Sequence, residues 1–367
     1  MQRAAISLIL LLSSLLCLSD FVKAQSDGVD SDTSLNLNFQ KVHEWSISMP
    51  LVIPMPVYPQ LLSDGSLVIV DHGLKTINHF DRAGNLISTT GGEGRGPGEY
   101  QSISAASIRD DGKVAVADIS SAAITVSDMY SEERHRTNID PGWNMALQWA
   151  GDQLIYSSHP FKIMGGNRGD IIMTQFDSEL ESSEQVMRLE LQRDDPPEDQ
   201  ISCMFCRFWF RNDLSYYTTP NDQRYLLYQV DPETDEIYEV SLDNIMPVEY
   251  SDAERDQIEE SRQEAADRVG LDAPDEAPPR FKRMIVDMFI DHKERLWVQR
   301  HSAEGTSTVF DLFDQDRQFL GSVMPPEGVM GVLSVSGNRV LFSVSSGWGP
   351  GEDPDTWSAE VYEIIEE

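Results

Sequence analysis

The chain has 367 residues, of which 62 are Asp or Glu and 28 are Lys or Arg, for a formal charge of −34. That balance excludes nucleic acid as a partner, because nothing offsets phosphate repulsion, and it gives a strongly solvated, self-repelling surface suited to salt or to a cationic ligand. The length allows one large all-β or α/β domain, or two smaller ones.

Residues 1–24 carry Arg3, an apolar run from Ala4 to Leu18 and the sequence Val22-Lys23-Ala24 before Gln25, the pattern of a secretory signal peptide with its cleavage site. The apolar run is about fifteen residues, short of the roughly 20 that span a bilayer. A soluble, exported mature protein, periplasmic or extracellular, is expected. Cys17 raises a lipoprotein alternative, against which Leu16 stands where a small residue is wanted. Residues 25–36, QSDGVDSDTSLN, are polar and expected to be disordered.

From residue 37 the chain repeats itself. LLSDGSLVIVD (61–71) followed by TINHFDRAGNLIS (76–88) recurs as SIRDDGKVAVAD (107–118) with AITVSD (123–128). Weaker copies are AGDQLIYSS (150–158) with DIIMTQFDSE (170–179), PNDQRYLLYQV (220–230) with DEIYEVS (235–241), DHKERLWVQR (291–300) with STVFDLFDQDRQFLGSV (307–323), and SGNRVLFSV (336–344) with SAEVYEI (358–364). Each unit is a polar turn, an alternating apolar strand, a loop and a second strand. The turns near 64, 110, 151, 222, 292 and 337 are spaced by 46, 41, 71, 70 and 45 residues, a base period with two insertions.

Units of four short strands at this period predict an all-β fold, a six-bladed β-propeller formed as a single domain over 37–367. The last unit stops after its third strand, and NFQKVHEWSISMP (38–50) is an unassigned strand before the first. This N-terminal strand is therefore expected to complete the last blade and close the ring. GxGPGEY at Gly94–Tyr100, DDGKVAVAD at Asp110–Asp118 and Glu294-Arg-Leu-Trp-Val298 resemble the bacterial exported 6-bladed β-propeller group, relatives of NHL and TolB-type propellers, over roughly residues 40–364. The resemblance implies the fold and says almost nothing of activity.

In such a blade the loops between strands one and two, and three and four, fall at one end. Here these are tight Asp64-Gly65, Asp111-Gly112, Gly151-Asp152 and Gly337-Asn338 turns. The other end receives the elaborations: GGEGRGPGEY (91–100), the loop from His159 to Gly169, the link from Asp194 to Asn212, a helical insertion near 251–280 between blades four and five, and the loop from Ser346 to Trp357. A binding site belongs there. In the insertion, Ser251 and Glu254 form a capping-box pair and Gly270 a C-cap, with Ile258, Ala265 and Val269 as a thin apolar stripe. The helix is read as lying on the propeller, with a lid over the channel as the sharper alternative.

GGEGRGPGEY lacks the Gly-Lys-Ser/Thr of a phosphate loop and leads into a strand rather than a helix, so it reads as a connector in which Arg95 and Glu99 are candidate ligand contacts. A Gly-Pro-Gly-Glu echo at 349–352 adds Trp348 and Glu352 on the same face, and His159 and Trp209 complete the candidate set. Cys203 and Cys206 have no second pair and suit a local disulfide better than a zinc site or a redox pair. The favoured function is a non-catalytic, monomeric, exported propeller without cofactor, binding a protein, peptide or glycan. The alternative is a lactonase-like hydrolase or lyase with Ca²⁺ or Zn²⁺ in the channel, drawing on Asp71, His72, Asp118 and Asp291, with His159 also near the strand ends.

Overall fold

The computed structural model describes residues 37–48, 57–140, 142–160, 171–189, 208–210, 216–218, 224–231, 234, 237–269, 278, 280–302, 308–329, 331–345 and 356–366. The segment expected to be a signal peptide, the polar stretch after it, and Cys17, Cys203, Cys206, Gly270, Trp348 and Glu352 lie outside these residues.

The chain is an all-β propeller, with one helix among the described residues. Its strands form six four-stranded antiparallel sheets. The first holds β2 (Val57–Leu61), β3 (Leu67–Asp71), β4 (Thr76–Phe80) and β5 (Leu86–Gly91). The second holds β6 (Ile103–Ile108), β7 (Lys113–Asp118), β8 (Ala123–Asp128) and β9 (Arg134–Asn138), and the third β10 (Gly142–Ala150), β11 (Gln153–Pro160), β12 (Ile171–Phe176) and β13 (Ser183–Leu189). The fourth holds β14 (Phe208–Phe210), β15 (Tyr216–Thr218), β16 (Leu226–Val230) and β17 (Ile237–Ser241). After it comes the helix α1 (Asp252–Val269). The fifth holds β18 (Asp287–Ile290), β19 (Leu296–His301), β20 (Thr308–Phe313) and β21 (Phe319–Val323), and the sixth β22 (Gly331–Ser336), β23 (Arg339–Ser345) and β24 (Thr356–Glu366). Its fourth strand is β1 (Leu37–Ser48), which runs antiparallel to β24 from Leu37 opposite Glu366 to Ser48 opposite Thr356.

The first strands of successive sheets touch in the cyclic order β2, β6, β10, β14, β18, β22 and back to β2. The core lies between sheets, because the alternating side chains of each strand face both neighbours. One cluster joins Val68, Val70 and Ile77 of the first sheet to Ile103, Val114 and Val116 of the second. Another joins Leu227 and Val240 of the fourth to Met288, Val298 and Phe313 of the fifth. Trp297, fully buried, stacks on Phe289 with centroids 5.2 Å apart and meets Phe310 edge-on at 5.9 Å. The N-terminal strand enters these clusters through Phe39, edge-on to Phe342 at 5.5 Å, and through Trp45, which packs with Leu61 and Leu341. Each such side chain, removed from water, contributes roughly 1.5–3 kcal/mol.

The two ends of the ring differ. At the tight-turn end, Gly65 and Gly112 take positive φ, as Asp-Gly reversals require, and neighbouring sheets are stapled together. The Ser63 amide donates to Asp110. Arg109 binds Asp152 at 3.0 Å and lies over Trp149. Arg317 donates to Gln229 at 3.0 Å and covers Tyr238 at 3.9 Å, and Arg295 binds Glu366 at 2.9 Å. At the junction of the sixth and first sheets, the Leu61 amide donates to Ser334 at 3.0 Å.

One unit departs from the reading of the repeats. The polar turn near 222 lies between β15 and β16, the second and third strands of its sheet, not between the first and second. The expected unit at 220–241 is therefore out of register by one strand. The cause is that β14 and β15 are only three residues long, so the first clear apolar strand in this sheet is its third.

Candidate functional site

The long connections all leave the end opposite the staples. The link from the first to the second sheet, residues 92–102, is folded on itself. Gly96 donates its amide to the Glu99 carboxylate at 2.7 Å, Tyr100 N to Gly92 O at 2.8 Å, and Gly94 N to Tyr100 O at 3.1 Å. The Glu99 carboxylate covers Gly94 so closely that a Cβ there would meet its oxygen at 1.9 Å. Arg134 reaches over from β9 to Pro97 O at 3.2 Å. Tyr100 closes the loop, buried between the first two sheets, and burial pushes its hydroxyl up. Glu99 is thus engaged in holding its own loop. Arg95 stands exposed, with Nε donating to Gln101 at 3.1 Å, and Lys75 pairs with Glu93 at 3.3 Å beside it.

The second construction is the connection between the fourth and fifth sheets. Its two arms pair with each other: Lys282 N donates to Val248 O at 2.7 Å and Tyr250 N to Arg280 O at 3.0 Å. The arms carry α1, whose first turn is a reciprocal capping box. Ser251 N donates to the Glu254 carboxylate at 2.8 Å, and Glu254 N to Ser251 Oγ at 3.3 Å. The other Glu254 oxygen accepts from Lys282 Nζ at 2.6 Å. Lys282 and the capping bonds hold the Glu254 carboxyl down to about 2. Under this bridge sits half-buried His301 at the end of β19, whose pKa burial lowers. Deeper, Arg300 grips the fully buried Asp311 with two bonds, 2.6 and 3.2 Å, and Ser322 donates to the same carboxylate at 2.6 Å. Burial and this carboxylate push the Tyr225 hydroxyl well above its ordinary value.

Of the carboxylates expected to hold a metal, Asp118 and Asp291 are engaged elsewhere and Asp71 is engaged in part. Asp118 accepts from the amides of Gln101 at 2.7 Å, Ser102 at 3.1 Å, Ser120 at 3.0 Å and Ser121 at 3.2 Å, which ties the second sheet to the loop entering it. Asp71 accepts from Leu74 N at 2.8 Å, while its buried Oδ2 has no partner among the described residues. Half-buried His72 follows in the same turn. Asp291 is in the turn between β18 and β19, at the stapled end, and accepts from Lys293 N, Arg295 N and Nε, and Trp297 Nε1. Asp71 and Asp118 close the second strands of adjacent sheets at one end, and Asp291 lies at the other. Among the described residues, no group of three or more His, Cys, Asp or Glu could hold a metal. The set therefore does not fit a single ion.

Of the remaining candidates, His159 lies in β11, opposite Trp143, and Trp209 in β14, opposite Tyr217. The sequence reading overlooked Lys282 and His301, whose partners are far along the chain and leave no local signal.

A family model described as 6-bladed beta-propeller (DUF5128) matches residues 60–268. No curated protein matches the chain. Among solved structures, the chain is similar to a member of the duf4221 family from Bacteroides vulgatus, with 10% identity and a TM-score of 0.56, over 91% of this chain and 100% of that one. It also aligns with TolB from Acinetobacter baumannii, at 13% identity and a TM-score of 0.42 over 79% of this chain and 61% of that one. A virginiamycin B lyase from Staphylococcus aureus aligns at 11% identity and 0.41, over 90% and 100%. Likenesses this distant speak to fold alone.

Proposed function

The chain belongs to the 6-bladed beta-propeller family, and from that premise we propose that it is an exported, monomeric, non-catalytic protein that binds a protein, peptide or glycan on the end carrying its long connections. The observation that supports this is the division of labour between the two ends. One is a rim of tight turns stapled sheet to sheet, a rigid base. The other carries the link at 92–102, the paired arms with α1, and the connections that follow β11 and β23, with His159 near the end of β11. Variable surface on a rigid scaffold is the usual arrangement of a binding protein. Arg95, His159, Trp209, Trp348 and Glu352 are its proposed ligand contacts, whereas Glu99 acts through the shape of its loop. The pairing of β1 with β24 supports reading that strand as the lock of the ring, and α1, between the fourth and fifth blades, as a fixed ornament of the binding end. A local disulfide between Cys203 and Cys206 belongs to the same proposal.

A metal-dependent lactonase-like hydrolase or lyase is the second reading. The unpartnered Oδ2 of Asp71 favours it, and the commitment of Asp118 and Asp291 to opposite ends of the ring weighs against it. The test is a glycan array and a displayed peptide library screened against residues 25–367, with hits repeated on Arg95→Ala and Trp348→Ala. Ligands that lose affinity in those variants and are recovered unchanged meet the expectation. Conversion of a ligand, dependent on Ca²⁺ or Zn²⁺, would establish the enzyme instead.

A further inference from the structure

Few large apolar side chains are exposed among the described residues, and two of them are methionines in equivalent places. Met246 is 75% exposed and Met324 57% exposed. Met246 lies in the connection entering the fifth sheet, after β17, and Met324 in the one leaving it, directly after β21. Each is followed by a proline, Pro247 and Pro325, which fixes φ, lacks an N–H and holds the preceding residue extended. The side chains are thus presented outward at the long-connection end, on both sides of one sheet. Methionine is unbranched and polarisable, and it adapts to apolar partners of varied shape.

The surroundings set the sign of the partner. Asp243, Asp252, Asp256 and Glu259 are exposed in the same connection as Met246, and Glu327 follows Met324. Within α1 seven acidic residues outnumber three basic ones, and of those three Arg255 is paired with Asp252. The connection that carries Met246 also holds Arg280, paired with Glu249, and Lys282, paired with Glu254, so its carboxylates remain in excess; an exposed apolar anchor in an acidic connection suits a chain that offers apolar and positive side chains together. We propose that Met246 and Met324 form a docking surface for a cationic amphipathic segment of a partner protein. This rests on the binding-protein reading and names the class of its ligand.

The test uses a labelled 18-residue peptide of Leu and Lys patterned with a helical period, and its Leu and Glu counterpart, titrated into residues 25–367 at physiological salt. The Leu and Lys peptide should bind and the Glu peptide should not. Met246→Ser with Met324→Ser, which changes no charge and removes exposed side chains only, should weaken binding by about tenfold or more. Leu86→Ser with Ile87→Ser, on the outer strand β5, should leave it unchanged. Equal affinity in the methionine variant, which would leave charge alone as the attraction, or an equal loss in the β5 variant, which would show apolar contact without a site, overturns the proposal. A wild-type protein that ignores the Leu and Lys peptide also overturns it. In each of those cases a glycan or peptide hit that depends on Arg95 or Trp348 would leave the broader binding reading standing.

Discussion

Asp118→Ala tests whether the carboxylates at the strand ends are structural hubs or ligand donors. The side chain is buried and holds four backbone amides, two from the loop that enters its sheet and two from its own turn. A hydrogen bond to a charged group contributes about 1.5–3 kcal/mol. Water can reach the Ser120 side of the turn, so two bonds lost without replacement are the working figure, a cost of about 4 kcal/mol. With an unfolding entropy near 2.1 cal/mol/K per residue over about 330 residues, that lowers Tm by about 6 °C. Asp118→Asn keeps one acceptor oxygen and should lose about half as much. Differential scanning calorimetry of both variants, with and without added Ca²⁺, is the assay. A fall of less than about 1 °C in the alanine variant would refute the structural assignment.

Other consequences can be checked independently. Removing Arg300 leaves Asp311 buried and unpaired, so Arg300→Met should cost about 3–5 kcal/mol in urea denaturation, while Arg300→Met with Asp311→Leu should recover most of it. The Glu254 carboxyl is depressed in the folded state, so its hold on Lys282 is present above the ordinary carboxylate range and lost as pH falls through about 2. The α1 signal at 222 nm should persist at pH 4 in wild type, and its loss there in an otherwise folded protein would contradict the assignment. Mass spectrometry of the exported protein should find Gln25 at the N-terminus, and a lipidated Cys17 would replace that reading with membrane anchoring.

The repeats were legible because two signals coincide in them: an Asp-Gly or Gly-Asp reversal needing positive φ, and apolar alternation in the strand that follows. Where strands shorten to three residues, as in β14 and β15, the alternation has too few positions to register, and the first strand the pattern marks is the third of its sheet. Asp71, Asp118 and Asp291 look alike in sequence because each stands beside a strand and caps a turn. Only the direction of the strand tells which end of the ring it occupies, and a pattern of period two carries no direction. Glu99 beside Arg95 read as an open question of site or strut. The closeness of its carboxylate to Gly94 and Gly96 assigns it to the loop. Lys282 had no signature at all, since its partner Glu254 is 28 positions away.

Binding of ligand at the long-connection end is open to direct mapping by hydrogen–deuterium exchange of the protein, free and saturated with a ligand from the array or peptide screen. New protection is expected in residues 72–75, 92–102, 242–286 and 324–329, with none in the stapled turns at 62–66, 109–113 and 291–295. Protection confined to those stapled turns would contradict it.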